Sequence, residues 1–344
     1  MSSGKEFKAA FKKAADWGVP VTVGDADALL LTSERITRSR EHLPDDSAGQ
    51  PFHAAADQGL VTCGGDISAY LRYQGLETLL AMALGQAGVP VQQGETSAWL
   101  HTLVAAPEVD GLFGTLVFYK GFSVHQYAAC KVDGFTIEGS AGQPLTISFN
   151  LICDDLSINT DAGANSNATL TALAAPPLGN RVLFRQGKFL INDTAASALS
   201  DSDAVAPSRF SLSFKRGLAG DHLAGSDTIA EPLSAGFPEL SLSLEFPTYT
   251  SDTFLHDLGG DVHKKLLVSF TGAEIESGQH YRLELVMPRV VLTNVEAAVS
   301  GAGKIAHPIT ASLLAADTPP AGMDGVTAPL VMRLTNTNQD DPLA

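Results

Sequence analysis

Two short runs of this chain alternate polar and apolar residues without a break, and the way they recur limits the fold more than any single motif does. Ile67, Ala69, Leu71 and Tyr73 fall on one side and Asp66, Ser68, Tyr70 and Arg72 on the other; Glu239-Leu-Ser-Leu-Ser-Leu-Glu-Phe246 repeats the pattern. A period of two puts successive side chains on opposite faces of a strand, so each run reads as a strand with one covered face. The segment after each run also recurs. Leu76, Leu79, Leu80 and Ala83, with Met82 beside them, have helical spacing and end at Gly85 and Gly88; Tyr249 to Leu258, then Gly259-Gly260, holds the same place in the second half.

The hairpins extend the match. Lys131-Val132 with Ile137-Glu138 corresponds to Arg289-Val290 with Val295-Glu296, and Pro144 to Phe149 corresponds to Pro308 to Leu313. Further strands are expected at Leu29 to Ile36, Gly114 to Tyr119 and Phe122 to Tyr127. A polar stretch with turn residues, His42 to Gly59, has a counterpart in Gly217 to Gly236, and both read as long loops. Five matches in one order point to a duplicated β-domain, the alternative being two unrelated β-domains. The expected division is an N-terminal arm (1–23), a first β domain (24–158), a linker (159–179) containing Pro176-Pro177, a second β domain (180–335) and a polar C-terminal tail (336–344).

Only 17% of residues are charged, below the roughly 25% usual for soluble domains. The 38 acidic and 22 basic residues leave a net charge of −16, which argues against a nucleic-acid-binding basic face. Cys63, Cys130 and Cys153 are odd in number and far apart, so free thiols are expected rather than a disulfide framework or a zinc site. Lysines interrupt Met1 to Trp17, so a secretory signal is not expected there, nor is a membrane anchor anywhere; synthesis in the cytoplasm is expected.

Catalytic patterns fail one by one. His256 and His263 have no HExxH arrangement, and Ser140 lies in a hairpin turn rather than a nucleophile elbow. Gly301-Ala-Gly-Lys304 lacks the closing Ser/Thr of a phosphate loop and falls at a hairpin tip. Asp45-Asp46 and Asp154-Asp155 are adjacent pairs that on a strand would point to opposite faces, and read as solvated charge. No enzyme, cofactor or metal site is expected.

Gly18-Val-Pro-Val-Thr22, the run Gly65-Asp-Ile-Ser-Ala-Tyr-Leu-Arg-Tyr-Gln-Gly75 leading into Leu76 to Gly85, Phe135-Thr-Ile-Glu-Gly139 and Pro144 to Phe149 give the chain its resemblance to the tail tube (major tail) proteins of long non-contractile tailed bacteriophages. The resemblance is one of pattern and covers essentially the whole chain. It implies mainly β structure: tail-tube-type β-sandwich domains, each with a flanking α-helix, assembled into rings whose inner sheets join round a channel. It also implies rings stacked into a tube in the virion, with tape-measure, terminator and tail-tip proteins as partners and double-stranded DNA passing through at ejection. A long loop near the start of each domain would reach an adjacent ring. Here those positions are Pro44, Asp45, Asp46, Gln50 and His53, with Asp221, His222 and Asp227 in the second copy. If each chain holds two tube domains, three chains make a pseudo-hexameric ring; otherwise a true hexamer is needed.

The polar faces of the alternating strands, Asp66 and Ser68 in one copy and Glu239, Ser241 and Ser243 in the other, are candidates for a lumen of carboxylates and amides that does not hold DNA, unless they face solvent outside. A competing reading is a carbohydrate-binding or adhesin-like β-sandwich, for which only Trp17 and Trp99 offer tryptophan stacking faces.

Overall fold

The computed structural model describes residues 4–159, 164–299 and 301–344. The first half holds β1 (Lys8–Lys13), β2 (Ala28–Leu29), β3 (Ser33–Pro44), β4 (Ala56–Tyr70), helix α1 (Glu77–Leu84), the short β5 (Gly85–Ala87) and β6 (Val91–Gln92), then β7 (Trp99–Ala105), β8 (Gly114–Tyr119), β9 (Val124–Ser140), β10 (Thr146–Cys153) and β11 (Leu156–Asn159). After α2 (Asn167–Ala172) come β12 (Gly187–Asp193), β13 (Ala204–Val205), β14 (Arg209–Lys215), the two-residue β15 (Leu218–Ala219) and β16 (Leu233–Ser234), β17 (Glu239–Phe246), α3 (Thr253–Gly259), β18 (Lys264–Glu276), β19 (Gln279–Val295), β20 (His307–Leu314) and β21 (Val331–Asn336).

Both halves use one strand order. The first pairs as β2-β1-β8-β9-β10-β4-β3 and the second as β13-β12-β18-β19-β20-β17-β14, every neighbour antiparallel. The helices α1 and α3 come after β4 and β17, as the spacing of Leu76 to Ala83 and the repeat predict. The long strands β9 and β19 each serve two neighbours in turn: their first parts pair with β8 and β18, their last parts with β10 and β20.

The halves are joined edge to edge. β9 over Gly134–Ser140 pairs with β14 over Arg209–Lys215. A run of eight strands, β3-β4-β10-β9-β14-β17-β20-β19, is therefore one sheet among the described residues. Gly134 permits the junction, because a Cβ there would run into the Phe214 carbonyl oxygen. On the covered face, Ile67, Phe149, Phe135, Phe214 and Leu240 stand opposite one another in register and are all buried. Phe135 lies 6.3 Å from Phe149 and 5.6 Å from Phe214 between ring centroids, so aromatic packing crosses the junction. A second join sets β21 against β7.

Helix α1 is held at both ends by distant residues. At its start the buried Glu77 accepts from the Gly75 amide (2.7 Å) and from Asn336 Nδ2 (2.6 Å). At its end Gly85 adopts φ +90°, a left-handed conformation that suits glycine. The carbonyls left over are met by Arg216, fully buried at the end of β14: Nε donates to Ala83 O (2.8 Å), Nη2 to Leu84 O (2.5 Å), and Nη1 to Ala106 O (2.7 Å) and Pro107 O (3.2 Å). Burial lowers the guanidinium pKa to about 10.

Several sequence expectations change. Residues 8–13 are not part of a loose arm: Ala9, Ala10 and Phe11 are buried in β1, and Lys8 Nζ donates to Thr171 O and Leu173 O. The linker is structured in part. It carries α2 and the buried Asn165, which bonds Val23 N, Val21 O and Gln126; residues 160–163 lie outside the described residues. The tail begins with the buried Asn336 and is held by Asn338 O to His101 and by Leu343 O to Lys13. The polar stretch from His42 is the end of a hairpin rather than a loop alone, because hydrogen bonding between β3 and β4 persists to Pro44 and Ala56. Asp154 is buried, its Oδ1 accepting from Ala129 N, and burial raises its carboxyl pKa.

The cysteines depart furthest from expectation. Cys63, Cys153 and Cys130 lie side by side on β4, β10 and β9, and Cys130 and Cys153 form a disulfide. Register brings together residues whose sequence spacing says nothing about contact. Cys63 is free and buried, its thiol pushed up to about 12.

Replacing Arg216 with Met removes the donor it gives to Ala83 O, Ala106 O and Pro107 O, while Leu84 O keeps the Ala106 amide, and is expected to cost about 3–5 kcal/mol in denaturant unfolding, with Arg216→Lys recovering part of the loss. Thiol titration without reductant should find no reactive thiol in the native chain and one per chain after denaturation; three in the denatured chain would refute the disulfide.

Candidate functional site

The uncovered face of the eight-strand sheet is the feature that gathers the sequence-predicted residues. Because covered and uncovered residues alternate, Asp66 and Ser68 on β4 and Glu239, Ser241 and Ser243 on β17 all fall on this face. Their register makes levels across the sheet. Ser33, Ser68, Ser148, Thr136, Ser213, Ser241, Ser312 and Val291 stand opposite one another in succession, one from each strand. Seven of these eight carry hydroxyls, so the level is a belt of one chemistry. Ser68 Oγ and Ser148 Oγ are 3.1 Å apart, and Thr136 Oγ1 donates to Ser213 Oγ at 3.3 Å.

The flanking levels carry the charge. On one side Arg35 faces Asp66, Asp66 faces Asn150, and Lys215 faces Glu239; Asn150 Nδ2 donates to Asp66 Oδ1 at 3.0 Å. On the other side come Tyr70, Thr146, Glu138, Ser211, Ser243, Thr310 and Asn294, and beyond them Arg209 faces Glu245. The expectation of a face made of carboxylates and amides needs correcting. Carboxylates are present, but Asp66 takes Asn150 Nδ2 and stands opposite Arg35, Glu239 stands opposite Lys215 and Glu245 lies 3.7 Å from Arg209, which leaves the face polar with little net charge. The excess negative charge of the chain lies elsewhere. Sequence alternation located this face on β4 and β17, whereas the contributions of β10, β9, β14 and β20 emerge only from register.

The loop candidates separate into two groups. Pro44, Asp45, Asp46, Gln50 and His53 occupy the far end of the β3–β4 hairpin, where residues 41–58 are exposed apart from the half-buried Gln50. Cys63 is the last residue of β4 on this side to be paired with β10, so the rest of the hairpin stands about 20 Å clear of the sheet. Local bonds shape the tip: Ser47 N donates to Asp45 Oδ1 (2.9 Å), Gln50 Nε2 to Asp45 O (2.6 Å), and His53 lies 3.0 Å from Asp46. Hydrogen bonding from Ser47 holds the Asp45 carboxyl below its ordinary pKa.

Asp221, His222 and Asp227 do not form a second projecting loop. Their segment folds back along the first hairpin of the same chain: His222 Nε2 donates to Val61 O (3.0 Å), Val61 N donates to Asp227 O (2.8 Å), and the Asp227 carboxylate pairs with Arg40. Asp221 accepts from Ala230 N within the loop. A partly buried ion pair pins the segment further on, where Glu231 Oε1 takes the buried Lys131 Nζ (2.5 Å) and the Gly111 amide (2.8 Å).

Among the described residues no group of three or more His, Cys, Asp or Glu could hold a metal ion, and no helix is long and apolar enough to cross a membrane. No curated protein matches the sequence. A family model described as phage tail tube protein matches residues 7–333, from β1 to β21. With nearly the whole chain covered and the β-rich architecture in agreement, this protein belongs to the phage tail tube family, a structural virion component that assembles with itself into a tube.

Proposed function

We propose that three copies close a ring through the free edges of the eight-strand sheet, that its hydroxyl-belted face lines the lumen, and that stacked rings conduct double-stranded DNA during ejection from a long non-contractile tail. The observation that carries this reading is the β9–β14 junction inside one chain. By the shared strand order, β14 corresponds to β3 and β9 to β19, and both counterparts are unpaired where the junction would form. β3 pairs only with β4, and Val291–Val295 of β19 pair only with β20 among the described residues. Joining β19 of one copy to β3 of the next therefore repeats a contact the chain already makes with itself. It also removes exposed strand edges, which sheets otherwise have to protect. The match in strand order supports a duplication of one tube domain, and both halves contribute to the one sheet, which favours three copies over six.

Size points in the same direction. With strands about 4.8 Å apart and tilted about 40°, three eight-strand sheets close at roughly 45 Å between backbones, enough for a duplex about 20 Å wide plus side chains; two sheets leave almost no clearance and six roughly double the width. The belt suits passage because hydroxyls bind phosphate weakly, and each lysine or arginine on the face has a carboxylate or amide close by. Unpaired cations would hold the duplex through counterion release. Tape-measure, terminator and tail-tip proteins remain the expected partners at the tube's centre and ends.

Two measurements test this. The belt is continuous round the ring only if Val291 of one copy meets Ser33 of the next, so oxidising a Ser33→Cys/Val291→Cys variant should give covalent oligomers that stop at three chains. Bands that stop at six, or no cross-link in assembled rings, would overturn the three-copy ring. For the lumen, a Ser213→Lys/Ser241→Lys variant should still form tubes, while virions built from it eject DNA at least several-fold more slowly, with the deficit shrinking as salt rises. Unchanged ejection would place the belt on the outside.

A further inference from the structure

The two halves carry equivalent clefts that differ in what walls them. In the first half a cleft of about 470 Å³ lies between Asp25–Leu30 and the start of α1. Pro176, Pro177 and the C-terminal residues Asn338 to Ala344 form part of its wall, and Lys13 bonds the Leu343 carbonyl there. In the second half the matching cleft, about 580 Å³, lies between Ser202–Ala206 and Pro247–Phe254, and every residue lining it belongs to that half. Among the described residues, no tail or linker packs into it.

The second cleft has an unmet demand. Its apolar wall includes Ile191, Val205, Phe246 and Phe254, with the His307 ring 6.2 Å from Phe246 and 6.0 Å from Phe254 between centroids. His307 is 4% exposed. Its Nδ1 donates to Glu296 O at 2.7 Å, which leaves Nε2 a bare acceptor, and that atom has no hydrogen-bond partner. A buried acceptor without a donor is costly unless something supplies one. The cleft thus suits an apolar side chain, with the His307 ring, its Nε2 buried without a partner, forming part of the wall.

Among the exposed large apolar side chains, which also include Phe122 and Phe237, one sits at the end of a projecting hairpin. Phe52, at the tip of the β3–β4 hairpin, is 85% exposed, and its neighbours Gln50 and His53 bear N–H groups. From the hydroxyl belt the hairpin runs in one direction, Ser33 to Pro44, while Phe246 and His307 lie in the other, five residues beyond Ser241 and Ser312. Tip and cleft are therefore at opposite ends of one sheet, with one projecting tip and one cleft free of tail or linker in each chain.

Resting on the stacked-ring reading, we propose that the hairpin tip of a chain in one ring inserts Phe52 into the second-half cleft of a chain in the adjacent ring, beside His307. The counterpart cleft of the first half is reserved for the chain's own C-terminal residues. Each chain then gives one tip and receives one, and the contact continues without closing, as a filament requires.

The experiment uses the full chain. In a Phe52→Cys/Thr250→Cys variant, oxidising assembled tubes should give a covalent ladder extending well past three chains, since each chain is linked to the ring above and the ring below. A Phe52→Asp variant should still form rings, because Phe52 lies outside the core, but should reduce the polymerised fraction at least tenfold. Wild-type-like tubes from Phe52→Asp would overturn the inference while leaving the stacked-ring reading intact. So would a ladder obtained only when Thr78→Cys, in the first cleft, replaces Thr250→Cys. Wild-type chains that form no stacked rings at all would remove that reading and this inference together.

Discussion

Backbone pairing between β9 and β14 is the contact on which the rest of the molecule depends. Each half alone would present two raw sheet edges, and neither could extend a covered face far enough to bury the row from Ile67 through Phe214 to Leu240. Joining them converts two small sandwiches into one sheet with one continuous core. The cost is steric: two backbones approach so closely at Gly134 that any side chain there would displace the Phe214 carbonyl. The gain is that the hydrogen-bonding groups of seven residues on each strand are satisfied inside the chain.

The junction needs more than its ladder, because a flat hydrogen-bonded edge can slip by two residues without changing which face is covered. Arg216 prevents that. It comes directly after β14, so the last rung of the ladder and the guanidinium that closes α1 are one residue apart. A shift in register would carry Arg216 away from Ala83, Leu84 and Ala106 and leave a desolvated cation with nothing to bond. Charge in the interior is a poor source of stability, but it penalises the wrong arrangement heavily. On the first half, Glu77 and Asn336 act in a similar way at the other end of the same helix.

Much of this was legible in the sequence where the physical signal is local. Alternation at Asp66 to Tyr73 and Glu239 to Phe246 marked the strands and their covered faces, the i, i+3, i+4 spacing with its glycine stop marked the first flanking helix, and the matching place in the repeat marked the second. What escaped was information that exists only between distant residues. The disulfide depends on β9 and β10 lying in register, the hydroxyl belt is assembled from eight separate strands, and Lys8 to Lys13 looks like a solvated arm until β8 and β2 are beside it. Composition misled in one respect: a chain with a net charge of −16 suggested an acidic face, yet the face of the sheet sets Arg35, Lys215 and Arg209 against Asp66, Glu239 and Glu245.

The hairpin projects from one end of the sheet only, and the corresponding connection of the second half is folded back and tied to Val61. Stacked as proposed, such units would make a polar polymer: one end would display hairpins and the other none. The two ends would be chemically different surfaces of the same protein, and growth and termination there would be separate recognition problems.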